Sequence, residues 1–264
     1  MLLPHQKHSW SCVLFLSNPA LLVYLKFSAL NFPKESRDGF ARINFTFPSL
    51  SSISVCVRVQ WDLQWSEVST IFSYAAAVFT NEFQLRSQVD SQGRILLALI
   101  IHGKHMPYKA SFSNDGAWHH ICVTWTQASE QWVIYVDGER KDAGSGAETS
   151  RDIHGDGIFI LGQDQDSFGG NFTEPFFGNI TDLNVWNTSL EARHVRALYG
   201  CASGSHEVFF SWSLEYLIRH EVVREMEALL FCPGECVHFT CNYLQIYSIL
   251  TFCNFNSNSR LEID

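Results

Sequence analysis

Residues 157–172, GIFILGQDQDSFGGNF, place an apolar run directly before a polar one. The first half is rich in β-branched and aromatic residues, which is typical of a buried strand. The second half brings together side chains that carry oxygen, namely Gln163, Asp164, Gln165, Asp166 and Ser167. A Gly-Gly pair at 169–170 then allows a tight backbone turn. We predict a strand followed by a polar loop.

The oxygen atoms of this loop suit a hard cation. Ca²⁺ in proteins takes about six to eight oxygen ligands at about 2.3–2.6 Å, from carboxylates, amides and backbone carbonyls. The loop alone cannot complete such a shell, so a calcium site requires ligands from elsewhere in the chain. The same composition is also typical of a solvated acidic turn, and the loop residues alone leave both interpretations open.

Composition bounds the class of protein. The chain has 264 residues, 46% of them hydrophobic and 14% aromatic, which is enough for one large core or two smaller ones. The formal net charge of -9 and the pI of about 5.6 argue against nucleic acid or an anionic membrane as a partner, because both require a basic surface. An acidic surface instead favours cations or cationic ligands.

Cysteines and glycosylation sequons indicate the secretory route. The chain has eight cysteines, and no pair has the spacing of a zinc ribbon, so we predict disulfides rather than a cysteine metal site. Four Asn-x-Ser/Thr sequons are candidate glycosylation sites: Asn44, Asn171, Asn179 and Asn187.

The first 30 residues combine Lys7 with an apolar region over 12–25 that is interrupted by polar residues. This pattern predicts a signal peptide or an atypical leader, with small residues for cleavage at 28–30. No other segment approaches eighteen uninterrupted apolar residues, so we predict no membrane span in this chain.

Alternation of apolar and polar residues predicts several strands. In Ile53–Trp61 one face is apolar and the other carries Ser54, Cys56, Arg58 and Gln60. Trp118–Trp125 is a second strand, and Trp132–Gly138 ends in an Asp-Gly hairpin turn. Residues 139–157 are rich in Gly, Ser and charge, and we predict a solvent loop there.

The last third of the chain contains the pattern of one helix, followed by a tail to which no structure is assigned. Thr188–Glu191 has the pattern of a capping box that opens a short helix, and Gly200 marks its end. Residues 214–230 show loosely helical spacing, and the cysteines after them show no pattern that assigns a structure. Cys201 is free to pair with one of these cysteines.

Several of these stretches resemble the pentraxins, the family of C-reactive protein and serum amyloid P component. LGQDQDSFGGNF resembles the family's calcium loop, and His120, Cys122 and Trp125 match its His-x-Cys-x-x-Trp signature. The similarity covers roughly residues 32–212 and includes four other stretches: Phe32–Ser36, Ile71–Tyr74, Phe177–Trp186 and Phe209–Trp212.

The resemblance implies an all-β fold, an antiparallel jelly-roll β-sandwich of the concanavalin/laminin-G-like type with one short α-helix. We place this domain at residues 31–213, with the leader at 1–30 and a cysteine-containing tail at 214–264. The resemblance also implies a disulfide between Cys56 and Cys122.

By the same resemblance, the predicted Ca²⁺ ligands are Asn81, Asp164, Gln165 through its backbone carbonyl, and Asp166. Two weaker candidates, Thr80 and Glu174, stand at or next to positions where the family has acidic ligands. The family's next acidic and amide positions fall on Thr173 and Phe176 in this chain, so the second ion of the family loses ligands.

The pattern for a phosphocholine ligand is also altered. Arg86 stands near the position of a ligand-contacting phenylalanine, and Lys104 or His105 stands near the position of a glutamate that faces the ligand's amine. A basic residue repels a quaternary ammonium, so we predict calcium binding ahead of phosphocholine binding.

These inferences predict a secreted, non-enzymatic module that recognises an extracellular ligand, phosphorylated or carbohydrate, through Ca²⁺. The resemblance implies either a homo-oligomer such as a pentamer or a place in a larger extracellular or adhesion-receptor protein. One alternative is a calcium-free structural module with a degenerate site. Another is a jelly-roll glycosidase that uses Asp164 and Asp166, although no third acid follows at the usual spacing and no catalytic residues are assigned.

Overall fold

The structure is a computed structural model. It describes the backbone of residues 12–17, 20–146, 151–202, 207–233, 236–243, 246–253 and 262–263. Side chains are described for residues 25–146, 151–202 and 207–233. These residues form antiparallel sheets, and the α-helix found among them is α1, Ala192–Tyr199.

Eight strands form the first sheet within the described residues. Its path is β1 (Cys12–Ser17), β2 (Ala20–Phe32), β16 (Gly178–Trp186), β4 (Ser52–Trp61), β10 (His119–Thr126), β11 (Gln131–Val136) and β12 (Glu139–Gly144), and β18 (Arg224–Phe231) pairs with β2.

The second sheet also has eight strands in that part of the chain. Its path is β17 (Leu217–Arg219), β3 (Ala41–Ile43), β13 (Ile158–Leu161), β5 (Ser69–Ala76), β6 (Phe79–Val89), β7 (Arg94–Ile101) and β8 (Lys104–His105), and β9 (Ala110–Ser113) pairs with β7. The remaining strands are the hairpin of β14 (Asp164–Ser167) with β15 (Gly170–Thr173), and a small sheet of β19 (Cys236–Tyr243), β20 (Ile246–Cys253) and β21 (Glu262–Ile263).

The core lies between the two large sheets. Val55 and Val57 from β4 pack in one cluster with Phe72 from β5 and Leu85 from β6, and all four are fully buried. Alternation puts these side chains on the inner faces because successive strand residues point to opposite sides. The predicted antiparallel β-sandwich with one short helix is confirmed.

The second face of β4 is covered rather than solvated. Sequence alternation predicted a polar face there, yet Ser54, Cys56 and Arg58 are all buried. Cys56 forms a disulfide with Cys122, its direct partner on β10, and this is the pair implied by the resemblance. Val195 of α1 packs in the same cluster, so the helix is what covers this face.

The helix begins later than predicted. Its N-cap is Glu191, whose side chain makes no capping hydrogen bond, so the predicted capping box at residues 188–191 is wrong. Ser54 Oγ on β4 instead accepts a hydrogen bond from Leu190 N at 2.9 Å. Gly200 ends the helix as predicted, but the left-handed backbone conformation falls on the next residue, Cys201, with φ of 60°.

The predicted solvent loop at 139–157 is wrong over its first third. Residues 139–144 form β12, which pairs with β11 around a turn at Asp137 and Gly138. Both turn residues have positive φ, 51° and 78°, as a tight hairpin requires. Strand β12 carries charged and glycine residues because it lies at one edge of the first sheet.

Two strands cross the predicted domain limits. Strand β2 runs through residue 30, and its residues Leu25, Phe27 and Ala29 are buried. Strand β18 lies in the predicted tail, where helical spacing was expected, and pairs with β2 over Arg224–Phe231. A disulfide between Cys201 and Cys232 ties the end of β18 to the end of α1.

Part of the predicted leader lies outside the described residues, namely 1–11 and 18–19. The helices in the part of the chain that the structure describes are all too short or too polar to cross a membrane.

Candidate functional site

The acidic stretch is a hairpin, not the loop that we predicted. Strand β14 pairs with β15, and the turn contains Gly169 with φ of 75°. The side chain of Gln165 points inward, and its Nε2 donates to Ser73 O and to Ile158 O, both at 3.0 Å. Ser73 Oγ in turn donates to Gln163 O at 2.8 Å. These neutral hydrogen bonds fix the hairpin against β5 and β13.

Asp164 is the buried acid of the site. It is 1% exposed, its Oδ1 accepts a hydrogen bond from Gln165 N at 2.7 Å, and its Oδ2 is ion-paired with Arg86 Nη2. Arg86 lies on β6, and its side chain is 16% exposed. A buried carboxylate without a positive partner is costly, so Arg86 compensates the charge of Asp164.

The same guanidinium reaches a second acid. Arg86 Nε is 2.9 Å from Glu174 Oε2, so Arg86 bridges Asp164 and Glu174. Glu174 has φ of 51°, and its Oε2 also accepts a hydrogen bond from Thr70 Oγ1 at 3.2 Å. Burial raises the pKa of Glu174, Asp164 raises it further, and Arg86 opposes both.

The predicted ligands on β6 lie at its start. The Oδ1 of Asn81 is buried and accepts no hydrogen bond, and Thr80 beside it is half-buried. Strand β14 packs against β6, so Asn81 and Asp164 belong to neighbouring elements. Asp166, the remaining predicted carboxylate, is exposed.

Two positions of the family pattern cannot serve as ligands. Phe176 is buried in the core, with its ring 5.9 Å from that of Phe32 and 6.0 Å from that of Trp61. Thr173 is exposed and offers no charge. The oxygen donors left at the hairpin are the unpartnered Oδ1 of Asn81 and the carboxylates of Asp164 and Asp166, and these are the ligand types that Ca²⁺ prefers.

The surroundings of Arg86 are aromatic and basic. Burial raises the pKa of Tyr108 to about 12, with Arg86 acting against it. The ring of His105 is 5.2 Å from that of Tyr108, and burial together with the charge of Arg86 lowers the pKa of His105. Lys104 is turned away, since its Nζ donates to Gly146 O at 2.8 Å.

The sequence singled out Arg86 but did not predict its ion pairs. Arg86 was interpreted only as a residue that would repel a cationic ligand. Strand alternation places Gln84 and Arg86 on one face of β6. In the structure, Gln84 Nε2 donates to Thr70 Oγ1, which in turn donates to Glu174 Oε2. That face of β6 thus lies toward the acidic hairpin.

Comparison with known proteins places this site in a family. The sequence model of the Pentaxin family matches residues 28–225. The chain belongs to the pentraxin family. The match begins within β2 and ends within the first residues of β18.

The relatives that this chain resembles are larger proteins. The chain is 35% identical to human adhesion G protein-coupled receptor D2 over 209 residues, which is 78% of this chain and 22% of the receptor. It is 30% identical to human neuronal pentraxin-2 over 185 residues, 69% of this chain and 42% of that protein. The chain therefore spans less than half the length of these relatives.

Solved structures agree on the fold. A heptameric SAP-like pentraxin from Limulus polyphemus matches with a TM-score of 0.67 at 24% identity, over 75% of this chain and 94% of that one. The extracellular region of zebrafish Gpr126/Adgrg6 matches with a TM-score of 0.58 at 16% identity, over 75% of this chain and 26% of that one. At these identities the likeness supports the pentraxin jelly roll and nothing beyond it.

Proposed function

We propose that this pentraxin domain is an extracellular ligand-recognition module that binds one Ca²⁺ at the β14–β15 hairpin. The ligands would be Asn81 Oδ1, the Asp164 and Asp166 carboxylates, and the backbone carbonyl of Gln165. The observation that carries the proposal is the buried Asn81 Oδ1, which has no hydrogen-bond partner. Buried polar atoms are nearly always paired, and a bound cation would supply the missing partner.

Arg86 sets the strength of this site. Its guanidinium is ion-paired with Asp164, so an incoming Ca²⁺ must compete with an internal cation for the same carboxylate. Ligand charge tunes calcium affinity over orders of magnitude, and the positive charge of Arg86 subtracts from the negative charge of the site. We therefore infer weak calcium binding. When Asp164 coordinates the ion, Arg86 would remain ion-paired with Glu174.

The bound ion would present open coordination positions to an extracellular ligand that offers phosphate or carbohydrate oxygens. No chemistry on that ligand is proposed. Asp164 is buried and ion-paired whereas Asp166 is exposed, and a glycosidase requires both carboxylates to face one sugar. Secretion of the domain, or its display on a larger protein, remains a prediction supported by the family and by the two disulfides.

One experiment tests calcium binding and the role of Arg86 together. The full chain is produced through a secretory pathway and titrated with Ca²⁺ by calorimetry, beside Arg86→Met and the double variant Asp164→Ala with Asp166→Ala. We expect weak saturable binding to the parent chain, none to the double variant, and tighter binding to Arg86→Met because the competing charge is gone. Arg94→Met is the matched control, since Arg94 pairs with Asp90 outside the site.

The ion pair of Arg86 favours a second candidate, a calcium-free adhesion module. In that case the guanidinium permanently takes the place of the ion between Asp164 and Glu174. Absence of saturable binding in both the parent chain and Arg86→Met would refute the calcium proposal and leave the calcium-free module as the remaining candidate. Assembly into a ring such as a pentamer stays a prediction, and sedimentation of the full chain with and without Ca²⁺ measures it.

A further inference from the structure

Glu82, His102 and His154 form a second group of ligating side chains, separate from the acidic hairpin. Glu82 lies on β6, His102 follows β7, and His154 precedes β13. One ligating atom from each residue lies within 4.8 Å of the other two. The two sheet pairings that join β7 to β6 and β13 to β5 bring these three distant residues to one point.

The distances within the cluster suit a small tetrahedral ion. His154 Nδ1 is 2.7 Å from Glu82 Oε1, and His102 Nδ1 is 3.1 Å from Glu82 Oε2. Nitrogen and oxygen ligands of Zn²⁺ lie at about 2.0–2.2 Å from the metal, which separates neighbouring tetrahedral ligands by about 3.4 Å. Small rotations of the side chains would therefore admit the ion.

The cluster also contains buried polar atoms that lack partners. Neither Nδ1 nor Nε2 of His102 makes a hydrogen bond, although the residue is only 8% exposed. Glu82 is 0% exposed, and its Oε2 has no hydrogen-bond partner either. The contact between His102 Nδ1 and Glu82 Oε2 has the distance of an ion pair but not the alignment of a hydrogen bond. Such atoms require an explanation, and a shared cation provides one.

The surroundings leave one coordination position open. The ring of His102 is 5.8 Å from that of Trp125 and 6.4 Å from that of Phe79, so apolar groups enclose one side of the cluster. The side chain of His154 is 39% exposed, so the other side faces solvent. Two imidazoles and one carboxylate with an open position are a ligand set of catalytic and ligand-binding zinc sites.

We propose that Glu82, His102 and His154 bind a Zn²⁺ ion, with a water molecule as its fourth ligand. Imidazole nitrogens favour zinc over calcium, which prefers six to eight oxygen ligands. The water position would accept a carboxylate of a bound ligand. The other described group with cysteine and histidine, Cys56, His120 and Cys122, is unsuited to zinc because its two sulfur atoms form a disulfide.

The test is a calorimetric titration of the chelator-treated full chain with Zn²⁺. We expect one site that His154→Ala weakens by roughly 100-fold or more, since even a group that only hydrogen-bonds to a metal ligand is worth about 10- to 100-fold in affinity. Glu82→Gln should do the same. The matched control is His105→Ala, because His105 lies only three positions beyond His102 and is not among the three ligating residues.

Two further measurements distinguish loss of the zinc site from unfolding and from zinc binding by cysteines. His154→Ala is the variant expected to fold, since its side chain is partly exposed, and circular dichroism verifies this. Cobalt substitution separates this site from cysteine ligands elsewhere in the chain, because thiolate ligands add intense near-ultraviolet bands and imidazole and carboxylate do not. Zinc binding that is unchanged in His154→Ala, or absent from the parent chain, would overturn the proposal.

Discussion

Arg58 shows what a single buried charge does in this domain. Its side chain is 4% exposed, its Nε donates to Asp182 at 3.2 Å, and its Nη2 donates to the carbonyls of Leu198 and Tyr199 at 3.0 and 3.1 Å. These carbonyls are at the carboxyl end of α1, where helix carbonyls lack intrahelical partners. Arg58 therefore joins β4, β16 and the helix.

Arg58→Met is expected to lower the free energy of unfolding by about 2–3 kcal/mol, because it removes the ion-pair partner of the partly exposed Asp182 and the donor to two part-buried helix carbonyls. Urea denaturation monitored by tryptophan fluorescence measures the change. Arg94→Met is the matched control, since Arg94 is half-exposed in its pair with Asp90, and we expect at most about 1 kcal/mol there. Equal effects of the two substitutions would contradict the role given to Arg58.

His119 predicts a dependence of stability on pH. Burial favours its neutral form, but hydrogen bonds and charges of Asp137 and Asp115 outweigh burial and raise the pKa of His119. Its Nδ1 is 2.7 Å from Asp137 Oδ2, and its Nε2 is 3.1 Å from Asp115 Oδ1. A raised folded-state pKa means that protonated His119 stabilises the fold fully below the unfolded pKa of about 6.5 and that this contribution is lost as pH rises through the folded pKa.

We therefore expect His119→Gln to be less stable than the parent chain at about pH 5.5, by less than about 1 kcal/mol, because the acids are partly exposed and solvent screens them. The difference should narrow toward about pH 9, because His119 loses its charge as pH rises through its raised folded-state pKa. Urea midpoints at the two pH values measure it. A difference that grows with pH would show that the sign is wrong.

At the scale of elements, the position of a sequon in the sheet predicts whether its asparagine carries a glycan. Asn179 lies on β16 between β2 and β4, its Nδ2 donates to Gln60 Oε1 at 2.7 Å, and its Oδ1 accepts from Asn31 at 2.8 Å. A glycan would replace one hydrogen of that nitrogen and add bulk beside the contact with Gln60. The other three predicted acceptors are exposed: Asn44, Asn171 and Asn187.

We expect glycan occupancy at the three exposed sequons and little or none at Asn179. Mass spectrometry of tryptic peptides, after enzymatic glycan release in heavy-oxygen water, measures occupancy at each site. Asn179→Gln should leave the mass of the secreted chain nearly unchanged, whereas Asn187→Gln should remove one glycan. A full glycan at Asn179 would contradict the structure of β16.

Elements whose pattern is local were predictable from sequence. The alternation of Ile53–Trp61 located β4, and the Asp-Gly pair located the turn after β11. Residues 139–144 were misassigned because an edge strand carries little apolar alternation, and its pairing with β11 is a property of the sheet. The buried second face of β4 was invisible for a similar reason, since α1 covers it from far along the chain.

The candidate site was predictable as a set of residues but not as an arrangement. The acidic stretch was found from composition, and its ligand roles came only from resemblance. Neither source showed that Arg86 bridges Asp164 and Glu174, because that bridge depends on the packing of β14 against β6, which brings residues far apart in sequence together. The cluster at Glu82 was missed because its members are far apart in sequence.

At the scale of the molecule, strand β18 lies beyond the predicted domain limit at residue 213 and yet stabilises the first sheet. Strand β18 pairs with eight residues of β2, and its Ala228 and Leu230 are buried against Leu25 and Phe27. Removal of β18 uncovers these apolar side chains and leaves β2 with an unpaired edge, which favours aggregation.

A chain that ends at residue 213 is therefore expected to aggregate or to melt at a lower temperature than a chain that ends at residue 233. Burial of two or three apolar side chains contributes about 1.5–3 kcal/mol each, so the expected loss is about 3–9 kcal/mol. Differential scanning fluorimetry and size-exclusion chromatography compare the two chains. Equal melting temperatures for two monomeric proteins would contradict this role of β18.

The disulfide between Cys201 and Cys232 determines how the domain bears mechanical tension. A pull on the chain beyond residue 232 passes through the sulfur–sulfur bond to Cys201 at the end of α1, and the 31-residue separation between the two cysteines is removed from the loaded path. Strand β18 lies inside that shielded segment, so tension cannot peel it from β2 one hydrogen bond at a time. In a tethered extracellular protein, reduction of this disulfide would expose β18 to tension and allow it to separate from β2.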